Sequence, residues 1–131
     1  MIGLDTNVVV RFIMQDDAKQ SPKANRLIES LTIEIPGFVS VVSIVELGWV
    51  LSSAYGLNRE QVGQAIEALL RTKEIVIDRA DQVLRALRVF NATSADFADC
   101  LIERTAAAAG CDRTMTFDQN AAKVAGMSLI S

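Results

Sequence analysis

The chain has 131 residues, half of them hydrophobic and about a fifth charged, with two prolines. This excludes a disordered or collagen-like polymer and leaves room for one buried core. Thirteen basic residues against sixteen acidic ones give a formal charge of −3, the opposite of the balance of a generic nucleic-acid binder. There is no histidine and there are only two cysteines, Cys100 and Cys111, so histidine-based triads, Cys–His pairs and histidine metal ligands are excluded. Any metal must be a hard one held by oxygen.

The opening Met1-Ile2-Gly3-Leu4-Asp5 lacks the basic and long apolar regions of a secretory signal, and no run approaches the length of a membrane span. The chain is read as soluble and cytoplasmic, with both thiols reduced. Ile2 to Leu4 is an apolar run that predicts a buried strand ending at Asp5. Val8 to Met14 predicts a short helix. Ser21-Pro22 predicts the next helix start, since Ser caps and Pro suits the first turn, with Ala24, Leu27, Ile28 and Leu31 as its apolar stripe. Beyond the break at Pro36-Gly37, residues 38–41 predict a strand, followed by a helix from Ser43 to about Tyr55.

Asn58 is the expected cap of a helix striped by Val62, Ile66, Leu69 and Leu70. Ile75-Val76-Ile77 predicts a strand, with a helix marked by Val83, Leu84, Leu87 and Phe90 behind it. A helix from about Ala95 to Ala109 is expected to close on Gly110 in a left-handed cap. Met115-Thr116-Phe117 predicts a strand ending at Asp118, then a short helix and a last strand over residues 127–130. The alternation implies an α/β fold of one domain, with a central, mostly parallel sheet and helices on both faces.

Acids recur just past a strand or at a helix start: Asp5, Glu46, Asp96, Asp99 and Asp118. Each has an ordinary structural explanation. Asp5 and Asp118 suit N-caps, Ser43-Ile44-Val45-Glu46 matches a capping box, and Thr93-Ser94-Ala95-Asp96 nearly does. In a parallel α/β sheet, however, strand ends and the helix starts that follow face the ligand-binding edge. Val45, Leu47, Phe97 and Leu101 flank Glu46 and Asp99, which predicts partial shielding of both from water. Two carboxylates 5 Å apart repel by about 3 kcal/mol at an effective dielectric of 20, so a cluster makes sense chiefly around a cation, Mg²⁺ or Mn²⁺. Two bound divalent ions would turn the net charge slightly positive. Arg11, Lys19, Lys23, Arg26, Arg85, Arg88, Arg104 and Arg113 could then meet phosphates.

The sequence resembles the PIN-domain ribonucleases, in particular VapC-type toxins of bacterial toxin–antitoxin pairs. The resemblance is carried by Leu4-Asp5-Thr6-Asn7, Val41-Val42-Ser43-Ile44-Val45-Glu46-Leu47, Asp96-Phe97-Ala98-Asp99-Cys100-Leu101-Ile102 and Thr116-Phe117-Asp118, in that order along the chain. It implies that Asp5, Glu46, Asp99 and Asp118 form the catalytic, metal-binding set, with Asp96 as a further candidate. Thr6, Asn7, Ser43 and Thr116 are secondary candidates for orienting those acids or contacting substrate. Asn120 stands where some relatives carry another acid.

The implied activity is Mg²⁺- or Mn²⁺-dependent cleavage of RNA by water. The implied partners are an RNA substrate, a VapB-like antitoxin and a second copy in a homodimer. Operator DNA would be met only through the antitoxin, and no membrane is involved. The alternatives are a catalytically weak PIN-like interaction module and a receiver-type phosphoacceptor domain. The latter is disfavoured because Asp16-Asp17 lies a helix beyond the first strand and no Lys follows Asp118 in the required place. A haloacid-dehalogenase-like phosphatase would want a second acid at Asn7.

Overall fold

A computed structural model describes residues 1–131, which divide into two compact units, Met1–Asp78 and Arg79–Ser131. The first runs β1 (Ile2–Gly3), α1 (Thr6–Met14), α2 (Gln20–Glu29), β2 (Gly37–Val39), α3 (Val41–Ser53), α4 (Arg59–Arg71) and β3 (Ile75–Ile77). Its strands form a parallel sheet in the order β1-β2-β3, with Ile2 opposite Gly37 and Gly37 opposite Ile75. α1 packs against α2 and α3, and α3 against α4. The core is apolar: Leu4, Val9, Val39, Ile44, Leu47, Leu51, Ile66 and Ile77 are buried. β2 passes close to its neighbours, because a Cβ at Gly37 would come within 2.9 Å of both Leu4 and Leu31.

α3 begins two residues earlier than the sequence pattern indicates. Ser40 and Val41 read as the end of a strand, yet the strand stops at Val39 and Ser40 caps the helix, its Oγ accepting the Ser43 N–H at 3.1 Å. Asp78, just past β3, accepts the Val41 N–H at 3.2 Å, while its own N–H donates to the Val39 carbonyl. Two orphan amides of the first turn are thereby satisfied, and Glu46 falls in the second turn, outside any capping box.

The start of α2 differs in a similar way. Asp17 Oδ1 accepts the Lys19 and Gln20 amides at 2.9 and 2.7 Å. The Ser21 hydroxyl is buried and donates to the Arg11 carbonyl at 3.0 Å. Ser21 therefore ties α2 to α1 instead of capping α2. Asn58 caps α4 as expected, in a full capping box with Gln61.

The second unit contains α5 (Ala80–Ala92), α6 (Phe97–Ala108), β4 (Met115–Thr116), α7 (Gln119–Val124) and β5 (Ser128–Leu129). β4 and β5 pair in parallel, Met115 opposite Ser128. α5 and α6 pack together, and the Phe90 and Phe97 rings meet edge to face at 5.7 Å. Asp96 is the α6 cap, and Gly110 closes that helix at φ +96°, the left-handed position the sequence assigns to it. No helix is long and apolar enough to cross a membrane.

Candidate active site

In the first unit, β1 delivers the chain to Asp5, whose Oδ1 accepts the Thr6 N–H at 2.8 Å and caps α1. Asp5, Thr6, Asn7 and Glu46 line one cavity of about 620 Å³, with Arg11 and Tyr55 in the same wall. The sequence-predicted acids of this unit thus share a hollow, although one comes from the start of α1 and the other from the second turn of α3. Glu46 is exposed, so the shielding expected from Val45 and Leu47 is not realised: those side chains point away around the helix. The Thr6 hydroxyl is buried without a partner. Ser43 is held at the head of α3, where its hydroxyl accepts from Ser40 at 3.3 Å.

In the second unit, Asp96 Oδ1 accepts the Asp99 N–H at 3.2 Å. Asp118 Oδ1 accepts the Asn120 and Ala121 amides at 2.8 and 3.1 Å, and the Asp118 N–H donates to Thr116 Oγ1 at 3.0 Å. Asn120 thus meets Asp118 through its backbone. Asp99 is half-buried. Burial raises its pKa above the ordinary carboxyl value, and the negative charges of Asp96 and Asp118 raise it further. The shielding expected of Asp99 is therefore present, and these three acids lie within electrostatic reach of one another.

Capping and ligation turn out to be compatible in this chain. Asp5, Asp96 and Asp118 each use Oδ1 for a cap and leave Oδ2 without a hydrogen bond. Glu46 and Asp99 accept no hydrogen bond through their carboxylates; Asp99 lies in the first turn of α6, where an acid that serves only as a cap is ordinarily bonded. No three acidic or thiol side chains stand close enough together to ligate one ion. The fit to a metal lies in donor chemistry: carboxylate oxygens with open lone pairs and no imidazole, as a hard divalent cation requires.

A polar network absent from the sequence-based expectations adjoins Asp5 and Glu46. Arg11 Nη1 donates to Tyr55 Oη at 2.8 Å and to Asp16 Oδ1 at 3.2 Å, Arg11 Nε donates to Gln20 Oε1 at 2.8 Å, and Tyr55 Oη donates to Asp16 Oδ2 at 2.7 Å. The Tyr55 hydrogen bond, aided by the Arg11 charge, holds the Asp16 carboxyl below its ordinary value. Sequence reading reaches Arg11 only as one of several basic residues that could meet phosphates, and nothing local ties it to Tyr55.

Comparison with curated proteins finds none that matches the chain. A family model, that of the PIN domain, matches residues 2–127. PIN domains are in general metal-dependent nucleases, and the acids described above fall within the matched residues. The chain belongs to the PIN domain family.

Proposed function

We propose that this chain is a Mg²⁺- or Mn²⁺-dependent endoribonuclease and the toxin of a toxin–antitoxin pair of the VapC type. The observation that carries the reading is the set of open carboxylate oxygens, above all Glu46 and Asp99, which make no structural hydrogen bond. Asp5 and Glu46 in the first unit, and Asp99 and Asp118 in the second, are the proposed cation ligands, with Asp96 beside Asp99. When bound, such an ion lowers the pKa of water and stabilises charge on the scissile phosphate. Asp99 or Glu46 takes the proton of the attacking water. The new P–O bond forms as the P–O3′ bond breaks, and protonation of the departing oxygen leaves a 5′-phosphate and a 3′-hydroxyl. Thr6, Asn7 and Thr116 orient the acids or meet the substrate backbone, and no histidine is needed.

The same reading includes a homodimer and a VapB-like antitoxin, with operator DNA met only through the latter. It is supported by unpartnered apolar side chains on α3, where Val42 is 72% and Trp49 68% exposed at heptad spacing on one helix face.

The test is a thermal melt of antitoxin-free protein with and without Mg²⁺ or Mn²⁺, run beside incubation with RNA, for wild type, Asp5→Ala, Asp99→Ala and Glu46→Ala. Asp5→Ala also removes a cap and so lowers stability by about 1 kcal/mol on its own account. Asp99→Ala and Glu46→Ala remove no hydrogen bond and are the cleaner probes. Metal is expected to raise the wild-type Tm and support cleavage, and both effects should weaken in these two variants without any loss of metal-free stability. A metal that changes nothing, with RNA left intact, would make the acids structural and favour the interaction-module reading.

A further inference from the structure

The cavity lined by Asp5 and Glu46 continues past the acids. A second hollow, of about 270 Å³, is lined by Gln20, Lys23, Ala24 and Leu27 of α2, and Asn7 and Arg11 belong to the walls of both. Asn7 and Arg11, one turn apart on α1, are thus the wall the two hollows share, with carboxylates lining the first hollow and an exposed lysine the second.

Between them the Arg11 guanidinium is fixed by three side chains. Its Nε and Nη1 are engaged by Gln20, Asp16 and Tyr55, while Nη2 donates to nothing. Its only ion pair is with Asp16. An arginine placed to neutralise the pocket acids would pair with Asp5 or Glu46, and this one is held off them, so the acids keep their charge. A guanidinium pinned on two nitrogens loses little further freedom when the N–H groups of its open Nη2 meet an oxyanion, in charge-assisted hydrogen bonds. Two cations in adjoining hollows match a repeating phosphate backbone better than a single anion.

We propose that Arg11 binds a backbone phosphate of the RNA strand and, with Lys23, sets the path of that strand out of the acidic pocket along α1 and α2. This rests on the ribonuclease reading above. Gln20, Asp16 and Tyr55 act as positioning residues for the guanidinium.

The test measures binding of a 5′-fluorescein-labelled, 20-nucleotide oligouridylate, in EDTA to prevent cleavage, over a range of KCl concentrations. Arg11→Met and Lys23→Met are each expected to weaken binding about tenfold at low salt. Each should also reduce the slope of log Kd against log[KCl] by about 0.7, the value for one phosphate contact on a single strand. Arg11→Lys should keep the wild-type slope and lose affinity only a few-fold. A residue that merely braced the fold would lower the Tm and leave the salt slope unmoved. Circular dichroism melts establish that each variant is folded, and Lys23→Met, at an exposed position, carries the test if Arg11→Met does not fold. Folded variants with wild-type affinity and slope overturn the proposal, while cleavage by wild type with Mn²⁺ would leave the ribonuclease reading standing. A wild-type chain that neither binds nor cleaves RNA overturns both.

Discussion

Asp16 shows how one hydrogen bond fixes both a pKa and a side-chain position. The Tyr55 hydroxyl, and then the Arg11 charge, hold its carboxyl below the ordinary 3.8. The unfolded chain therefore binds this proton more readily than the folded one, and the contribution to stability is present above pH 3.8 and lost as pH falls through the lowered value. Tyr55→Phe deletes the donor. It should lower the Tm at neutral pH, and the gap from wild type should narrow as melts are taken to pH values progressively below 3.8. A constant gap would mean that Tyr55 acts through packing alone. Asp99 has the opposite displacement, from burial and from Asp96 and Asp118, so Asp99→Ala in metal-free buffer at neutral pH should melt no lower than wild type. The network around Asp16 is not written in local sequence: Arg11 and Tyr55 are 44 residues apart, and only the fold makes them neighbours.

At the scale of elements, the chain is most legible where capping chemistry is unambiguous. Asn58 with Gln61, Asp118 before α7 and Gly110 after α6 stand where turn and cap preferences place them. Legibility fails where two signals compete. The β-branched Val41 reads as strand, and Ser43 with Glu46 imitates a capping box, so the pattern points away from Ser40, the observed cap. At α2 the serine-proline pair outweighs Asp17, although Asp17 accepts the amides and Ser21 is committed to the Arg11 carbonyl. Both mistakes have one cause: a hydroxyl near a helix start caps only if no better acceptor precedes it. Ser40→Ala should therefore cost about 1 kcal/mol, a fall in Tm of roughly 3–5 °C, whereas the Ser43 hydroxyl accepts no backbone amide and Ser43→Ala should cost less. Equal losses from the two would return the cap to Ser43.

For the whole molecule, family membership was legible because four short motifs fall in order over most of the chain, and the matched residues 2–127 take in both units. The acids were legible as candidates, since with histidine absent the metal-ligating chemistry left to the chain is chiefly carboxylate. Their individual surroundings were not, because exposure depends on which way a helix faces, as Glu46 shows. Metal binding would couple to the stability of the folded chain: at ten times Kd, an ion that binds only the native state adds about 1.4 kcal/mol. The wild-type Tm should then climb with the logarithm of Mn²⁺ concentration, and that climb should be flattened in Glu46→Ala. The two thiols offer an independent clock. Cys111 is exposed and Cys100, next to Asp99 in α6, is buried, so a maleimide should modify Cys111 at once and Cys100 only when that helix opens. The lag between the first and second labels, read by mass spectrometry, times the breathing of the segment that carries Asp96 and Asp99. A divalent cation that lengthens the lag without slowing the first label would be acting on α6 itself.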